Sequence, residues 1–413
     1  MERIINITSH IFNNNTSMQG QEESITPALQ SNLEDKTILY QEFENGARKI
    51  IINRAKSLNS LLIGRTSTLF LLLIILIEFK CSILDMLFEL HRLLSLYEND
   101  RNVKVVMIVG APGKAFCSGG DIKQFISTPD MGHNFAKIEY KLDHLIHTYP
   151  KPLISIVDGI VMGGGVGLSI HADYRVMTEK TLWAMPENKI AYFPDVGTNY
   201  FTSRMGAVGM YLSITGARIG LRDSMELKIG SHFVESCNLE RMIDDLTGDV
   251  VDTPRQVEFI LNKWRKQVPI ADNNPNAMKS VIQPNRQSIE RCFGADVQSV
   301  QQMIELIRAE HPINPKWSET TLRQILDASP ISVAITFQAI RMALTMEIDE
   351  IFRMDLRLGT RLTHEENIRI GVHAALVDRN NAPKWDPPSF DQVTPERINS
   401  YFERLDESKE LDI

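Results

Sequence analysis

Two glycine-rich stretches are the first candidates for chemistry. Residues 113–123 follow one predicted strand directly, and residues 158–167 follow another and lead into a predicted helix. Glycine clusters let the backbone approach a ligand closely and turn N–H groups outward. Two such turns side by side could aim two donors at one oxygen, as a developing enolate or tetrahedral oxyanion requires. Taken alone, each stretch also fits a tight turn without any function.

Known phosphate-binding patterns do not fit the second stretch. The run Gly163-Gly164-Gly165-Val166-Gly167 lacks the spacing G-x-G-x-x-G of a dinucleotide site. A phosphate-binding loop would need Gly-Lys-Ser/Thr after its glycines, and that is missing as well. The glycines therefore predict backbone donors rather than a nucleotide site.

Two acids stand in proline-containing loops further along the chain. Glu187 follows Met185-Pro186, and Asp195 lies eight residues later in Phe193-Pro194-Asp195-Val196-Gly197. Proline fixes the backbone, so the two carboxylates could face one substrate as base or nucleophile and as orienting group. Ordinary surface acids are the alternative, and the same ambiguity holds for Glu139. The histidines lack the H-E-x-x-H spacing, so no metal site is expected.

The elements that must position these residues follow from periodicity. Residues 38–43 and 49–53 flank an Asn-Gly turn and predict a hairpin. Buried strands are predicted at 104–109, 153–157 and 174–178, with helices at 85–97, 135–147 and after Met162. From about residue 254 only helical patterns remain. The alternation indicates an α/β fold with a helical C-terminal region.

Composition restricts the class of protein. The 413 residues are 43% hydrophobic and 23% charged, as in a soluble globular enzyme. A net charge of -8 lacks the footprint of nucleic-acid binding, so no nucleic-acid partner is expected. The four cysteines form no C-x-x-C pair, which favours a reducing compartment over a disulfide framework.

Three regions are predicted: a disordered segment 1–36, a catalytic core 37–250 and a helical region 251–413. Inside the core, residues 62–83 are an anomalous apolar insert, with nine consecutive apolar residues at 69–77. A membrane span needs about 20 apolar residues, so membrane anchoring is the minor interpretation. A buried helix or strand is the other interpretation of this insert.

Together the motifs resemble the crotonase (enoyl-CoA hydratase/isomerase) superfamily, and within it the 3-hydroxyisobutyryl-CoA hydrolase branch. The resemblance runs from about residue 38 to residue 402. It is carried by residues 114–123, 159–169 and 183–201 and by a tail ending in Pro383-Lys384-Trp385. It implies a spiral of β-β-α turns with two perpendicular sheets, followed by helices.

The resemblance also implies a site. Backbone N–H groups of Ser118 and Gly164 would form the oxyanion hole for a thioester carbonyl. Glu187 would attack that carbonyl or activate water, while Asp195 would bind the substrate's 3-hydroxyl group and help coenzyme A leave. The residues expected to bind substrate are Glu139, Gly119, Gly120, Asp121, Gly163 and Lys123. Coenzyme A enters as part of the substrate, so no separate cofactor is expected.

The acidic residues indicate which activity of the superfamily this chain would have. A hydratase of this superfamily places a glutamate where this chain has Gly167, so only Glu187 of the usual pair remains. The resemblance therefore implies hydrolysis of an acyl-CoA thioester, with 3-hydroxyisobutyryl-CoA of valine catabolism as the expected substrate. An enoyl-CoA hydratase or isomerase is the alternative, and a non-catalytic mitochondrial ribosome subunit is another.

The insert is the main departure from the family pattern. Relatives run straight from the equivalent of Leu61 into the helix that follows residue 83. We hypothesise that residues 62–83 are a translated, unspliced intron or a gene-model error. The resemblance also implies a mitochondrial location, and it leaves open whether the chain forms a homo-oligomer or associates with the mitochondrial ribosome. The N-terminus itself carries only a weak targeting signal, with one Arg and one Glu in residues 1–17.

Overall fold

The computed structural model describes residues 36–62, 86–122, 129–268, 279–376, 378 and 382–413. Residues 1–35 of the predicted N-terminal segment, residues 63–83 of the predicted insert, and Lys123 lie outside the described residues.

The described strands form two sheets. They are β1 Ile38–Glu42, β2 Ala47–Ile52, β3 Val105–Gly110, β4 Ala115–Cys117, β5 Leu153–Val157, β6 Ile160–Met162, β7 Tyr174–Met177, β8 Leu182–Ala184, β9 Ile219–Gly220 and β10 His232–Phe233. The larger sheet has the order β1-β2-β3-β5-β7-β10 and the smaller one β4-β6-β8-β9. β1 and β2 form the predicted hairpin, in which Ile38 lies opposite Ile52. The predicted strands at 104–109, 153–157 and 174–178 are confirmed as β3, β5 and β7.

The helices alternate with these strands and then continue alone. They are α1 Met86–Asn99, α2 Pro129–His147, α3 Gly164–Ile170, α4 Thr198–Ser203, α5 Ala207–Thr215, α6 Leu221–Glu226, α7 Leu239–Gly248, α8 Pro254–Trp264, α9 Arg286–Phe293, α10 Val300–Ala309, α11 Pro315–Leu326, α12 Pro330–Ala343, α13 Ile348–Leu362, α14 Glu366–Leu376 and α15 Pro395–Phe402. The predicted helical C-terminal region is confirmed.

The chain winds as a spiral through both sheets. β3 lies in the larger sheet, β4 in the smaller one, and α2 returns to β5; β5, β6 and α3, then β7 and β8, repeat the pattern. β4, β6 and β8 are parallel neighbours. Since the carboxyl ends of adjacent parallel strands meet at one edge, the loops that follow these three strands come together. Those loops carry both glycine-rich stretches and Glu187.

Alternating side chains of β3 show that both faces of the larger sheet are covered. Val106 and Ile108 belong to one apolar cluster with α1, α2 and the C-terminal helices. Val105 and Met107 belong to a second cluster, which α7 and α8 close from the other side. A strand buried on both faces reads as a continuous apolar run, and this run made β3 predictable.

The C-terminal helices share the core of the α/β region. The first apolar cluster includes buried residues from Ile38 in β1 to Leu411 near the C-terminus, so the sheets and the C-terminal helices contribute to one hydrophobic core. α13 packs along α2, and α14 packs on the turn that begins at Glu187, where Gly371 lies against Ile190. None of the helices within the described ranges has both the length and the apolar character needed to cross a bilayer.

Candidate active site

The two glycine-rich turns meet, as the sequence predicts. A Cβ atom on Gly119 would lie 3.2 Å from the backbone nitrogen of Gly164 and 3.1 Å from the Met162 carbonyl oxygen. Gly119 has φ 94° and Gly163 has φ 51°, a left-handed region that side chains disfavour. Glycine therefore serves both purposes here, because it permits the backbone conformation and the close approach.

The strand-like segment after β4 fixes the direction of its N–H groups. The Leu61 N–H donates to the Gly119 carbonyl, and the Asp121 N–H donates to the Leu61 carbonyl, both at 2.8 Å. Gly120, between these two residues, forms the bridge opposite Leu61. Successive N–H groups of an extended segment point in opposite directions, so the Gly120 N–H points away from Leu61. Within the described part of the chain it donates no hydrogen bond.

The prediction that Ser118 supplies an oxyanion donor is wrong. Its backbone N–H donates to the Leu58 carbonyl at 3.1 Å and is therefore already used. Gly164 is the first residue of α3, and the first N–H groups of a helix have no acceptor within it. The N–H groups of Gly120 and Gly164, one in each glycine-rich turn, donate to no described acceptor and form the candidate donor pair.

Glu139 lies directly behind the second glycine turn. It projects from α2, and its Oε1 lies so close to Gly164 that a Cβ there would collide with it. Glu139 is 4% exposed, and its Oε1 has no hydrogen-bond partner among the described residues. Burial raises the pKa of Glu139 well above its usual range, and the nearby Asp195 and Glu187 raise it further.

Glu187 reaches the same place from the loop after β8. It begins the 3-10 turn Glu187–Ile190, directly after Pro186. Its Oε1 lies 3.1 Å from where a Cβ on Gly163 would stand, and its Oε2 has no described hydrogen-bond partner. Burial raises the pKa of Glu187 well above the usual carboxyl range, and Asp195 adds to the shift. The structure thus places a buried carboxyl group beside the free N–H groups.

Asp195 stands in the loop that enters α4. Its Oδ2 accepts a 2.6 Å hydrogen bond from the Tyr140 hydroxyl, which comes from α2. Burial raises the pKa of Asp195 to about 7, and the Tyr140 hydrogen bond opposes that rise. Among the described residues no ion pair involves Asp195, Glu187 or Glu139. With no cation to offset burial, these carboxyl groups retain their protons to unusually high pH.

Asp143 is a further member of this acid cluster and was not predicted from the sequence. It lies one helical turn after Glu139 on α2 and is fully buried. A Cβ on Gly167 would stand 2.6 Å from its Oδ2, and neither carboxyl oxygen has a described hydrogen-bond partner. The sequence did hold a signal, because two acids four residues apart on one helix share a face. Only the packing of α2 on α3 shows that this face lies inside.

The remaining predicted binding residues are less directly placed. Asp121 pairs with Arg54 at 3.4 Å on the outer side of the first turn. Asn59, in the loop beside the first turn, donates its side-chain amide to the carbonyls of Ala111 and Ala115, at 3.2 and 2.9 Å, and so fixes the shape of that loop. Lys123 lies outside the described residues. No set of three potential metal ligands occurs in the described ranges.

Comparison with known proteins decides the family. The enoyl-CoA hydratase/isomerase family profile matches residues 83–402. This chain belongs to that family. A mitochondrial 3-hydroxyisobutyryl-CoA hydrolase of Xenopus laevis is 34% identical over 361 residues, covering 86% of each chain. The protein of the same name from Dictyostelium discoideum is 29% identical over the full length of both.

Solved structures agree on the fold of this family member. A carnitinyl-CoA dehydratase from Mycobacterium thermoresistibile superposes with a TM-score of 0.77 at 28% identity, over 91% of this chain and 98% of that one. An enoyl-CoA hydratase from Rhodobacter sphaeroides 2.4.1 superposes with a TM-score of 0.75 at 24% identity, over 92% and 100%. The predicted crotonase-like spiral with a helical C-terminal region is confirmed.

Proposed function

We propose that this family member hydrolyses an acyl-CoA thioester, with 3-hydroxyisobutyryl-CoA as the substrate. The observation that carries the proposal is a buried carboxyl group, that of Glu187, next to the N–H of Gly164, which has no acceptor among the described residues. Thioester hydrolysis needs donors for the carbonyl oxygen and a base for water, and the site offers both. The relatives from Xenopus laevis and Dictyostelium discoideum are named 3-hydroxyisobutyryl-CoA hydrolases, which indicates this substrate.

The proposed reaction consumes one water molecule. The carbonyl oxygen lies between the N–H groups of Gly120 and Gly164, which stabilise the oxyanion as the C–O bond forms. In its ionised form Glu187 takes a proton from the attacking water, and the C–S bond then breaks. Alternatively, Glu187 attacks the carbonyl itself, the C–S bond breaks, and water then releases the acyl group from Glu187. In both routes one proton of the water passes to the coenzyme A sulfur, and the second is lost as the product acid ionises.

We assign Asp195 the role of binding the acyl group of the substrate. Its carboxyl group is held by Tyr140 and has a pKa of about 7, so it exchanges a proton near neutral pH. This suits a group that binds the substrate hydroxyl and passes a proton towards the leaving sulfur.

The two backbone donors stabilise the oxyanion only if both point at its oxygen. Loss of one such donor lowers the rate by about 10²–10³-fold, so the positions of the Gly120 and Gly164 N–H groups matter for turnover.

Hydration of an enoyl-CoA is the second candidate, and Asp143 is the observation in its favour. A hydratase of this family carries a glutamate at the position of Gly167, and here a carboxyl group from α2 fills that space. The Asp143 carboxyl atoms lie 2.6–2.8 Å from where a Cβ on Gly167 would stand, so the acid in this space projects from α2 and not from α3. Measured hydration and hydrolysis rates decide whether it acts as the second acid of a hydratase.

A substrate panel separates the two activities. Purified protein is given 3-hydroxyisobutyryl-CoA, other saturated acyl-CoA thioesters and crotonyl-CoA. Release of free thiol reports hydrolysis, and loss of the conjugated double bond reports hydration. We expect thiol release to be greatest with 3-hydroxyisobutyryl-CoA. Rapid hydration of crotonyl-CoA without thiol release would overturn the proposal.

We further propose a mitochondrial location, because the relatives are named mitochondrial. Import into isolated mitochondria tests it. Assembly into a homo-oligomer and association with a mitochondrial ribosome stay predictions, which co-sedimentation tests.

A further inference from the structure

The turn that carries Asp195 has an unusual backbone. Val196 has φ 52° and Gly197 has φ 69°, so two consecutive residues are left-handed. A β-branched residue disfavours this region strongly, because its side chain collides with its own backbone. Val196 is also fully buried, so solvent does not relieve the conformation. Such a turn persists only where surrounding groups impose it.

His171 contacts this turn from α3. Its Nε2 lies 2.8 Å from the Val196 carbonyl oxygen, and since a carbonyl only accepts, Nε2 carries the hydrogen. Burial lowers the pKa of His171 to about 3, so the ring is neutral and Nδ1 is an acceptor. His147 Nδ1 lies 3.3 Å from that atom and is the donor to it. The tautomer of His171 is thereby fixed in the form that holds Val196.

Asp355 contacts the turn from the C-terminal region. It is a fully buried residue of α13, and its Oδ2 accepts the Gly197 N–H at 2.9 Å. The rings of His171 and Phe352 lie against Gly197, where a Cβ would be 2.8 Å from each. On the other side of Asp195, the Asn199 amide donates to the Pro194 carbonyl at 2.9 Å. The peptide groups around Asp195 are therefore held by side chains from three elements.

We infer that His171 and Asp355 are positioning residues that hold Asp195 in its working orientation. The inference rests on the role proposed for Asp195. One short helix, α3, begins with the oxyanion donor Gly164 and is capped by His171. It thus fixes the distance between the carbonyl-binding donors and the acid. A misplacement on the order of 1 Å can lower a rate roughly 10²-fold, so such a connection has a large effect on turnover.

The first test removes the hydrogen bond of His171 and keeps an aromatic ring in its place. His171→Phe keeps an aromatic ring but loses the hydrogen bond to Val196. We expect kcat to fall by roughly 10–100-fold while KM changes by less than about threefold. In an Asp195→Ala background the same substitution should change kcat by less than about twofold, since the acid it positions is gone. The matched control is His232→Phe, a buried histidine on β10 beside Ser231, which should leave kcat unchanged.

The second test addresses the strained residue. Val196→Gly relieves the left-handed strain and loses packing, whereas Val196→Ala loses packing and keeps the strain. In the His171→Phe enzyme, the Gly variant should therefore have a higher kcat than the Ala variant. Equal kcat values would contradict a role for His171 in holding this conformation.

A third measurement does not depend on the reaction. Hydrogen exchange of peptides covering residues 194–199 should become faster in His171→Phe. If exchange rises while Asp195→Ala keeps full activity, the proposed role of Asp195 fails and the turn is still held as inferred. Unchanged exchange, or an equal fall in kcat in both backgrounds, overturns the inference.

Asp355 provides the test if His171→Phe does not fold. Asp355→Asn keeps an oxygen acceptor for the Gly197 N–H and should retain most of kcat. Asp355→Leu removes the acceptor and should show both the fall in kcat and the faster exchange. Equal kcat in these two variants overturns the inference as well.

Discussion

Gly167→Ala tests the packing of α2 on α3. An alanine in place of a helical glycine ordinarily stabilises a protein by about 0.5–1 kcal/mol. Here the added Cβ would stand 2.6 Å from Oδ2 and 2.8 Å from Cγ of Asp143, distances at which something must move. Overpacking of this kind costs about 1–3 kcal/mol. The unfolding free energy should therefore fall by about 0.5–2 kcal/mol, opposite in sign to the usual effect.

Urea denaturation of a double-mutant cycle measures this. Asp143→Ala removes the group that the new methyl meets, so Gly167→Ala should be neutral or stabilising in that background. The expected coupling is about 1–3 kcal/mol. As a matched control, Gly248→Ala introduces a methyl with no atom within 4 Å and should show no coupling to Asp143. A stabilising Gly167→Ala in the parent protein would refute the close contact.

Further predictions concern the acids and the insert. Tyr140→Phe removes the hydrogen bond that lowers the pKa of Asp195, so the acid limb of kcat/KM should move to higher pH; an unmoved limb would contradict this. Asp195 has a folded pKa of about 7, above its unfolded value, so the folded protein keeps a proton that the unfolded chain loses. Its stabilising contribution is complete below about pH 4 and is lost towards pH 7, by about 1.4 kcal/mol per pH unit, and Asp195→Asn should flatten this slope in urea denaturation. Transcript sequencing should find messages without the codons for residues 62–83, and an abundant message that always contains them would contradict the intron hypothesis.

The larger sheet could be predicted from the sequence because its strands are buried on both faces. The continuous apolar runs of β3 and β5 are a strong local signal, and the turn before β2 is another. The family resemblance implied a second sheet, but periodicity did not locate its strands. β4, β6 and β8 have three residues each, too few for a recognisable period. Their pairing depends on the spiral, which is a property of the whole chain.

The candidate site could be predicted in part from the sequence. The glycine stretches and the Pro-Glu and Pro-Asp loops indicated which segments matter, since they require unusual backbone. The donor in the first turn was not predictable, because Leu58 and Leu61 decide which N–H groups of residues 118–121 are used. These partners lie far away in the sequence. Asp143 had only its spacing of four residues from Glu139 as a signal. His171 and Asp355 act through tertiary contacts, which an isolated histidine or acid in the sequence does not reveal.

The rate of thiol release by Glu187→Gln tests the central claim most directly. The substitution keeps the shape of a side chain that lies beside Gly163 and removes its ability to accept a proton. We expect kcat/KM for 3-hydroxyisobutyryl-CoA to fall by roughly 10²–10⁴-fold. The thermal midpoint should be retained or raised, because burying an ionisable acid costs free energy that a neutral amide avoids. Glu305→Gln on the exposed face of α10 is the matched control and should be fully active. Hydrolysis by Glu187→Gln at the parent rate would contradict the assignment of Glu187 as the catalytic carboxyl group.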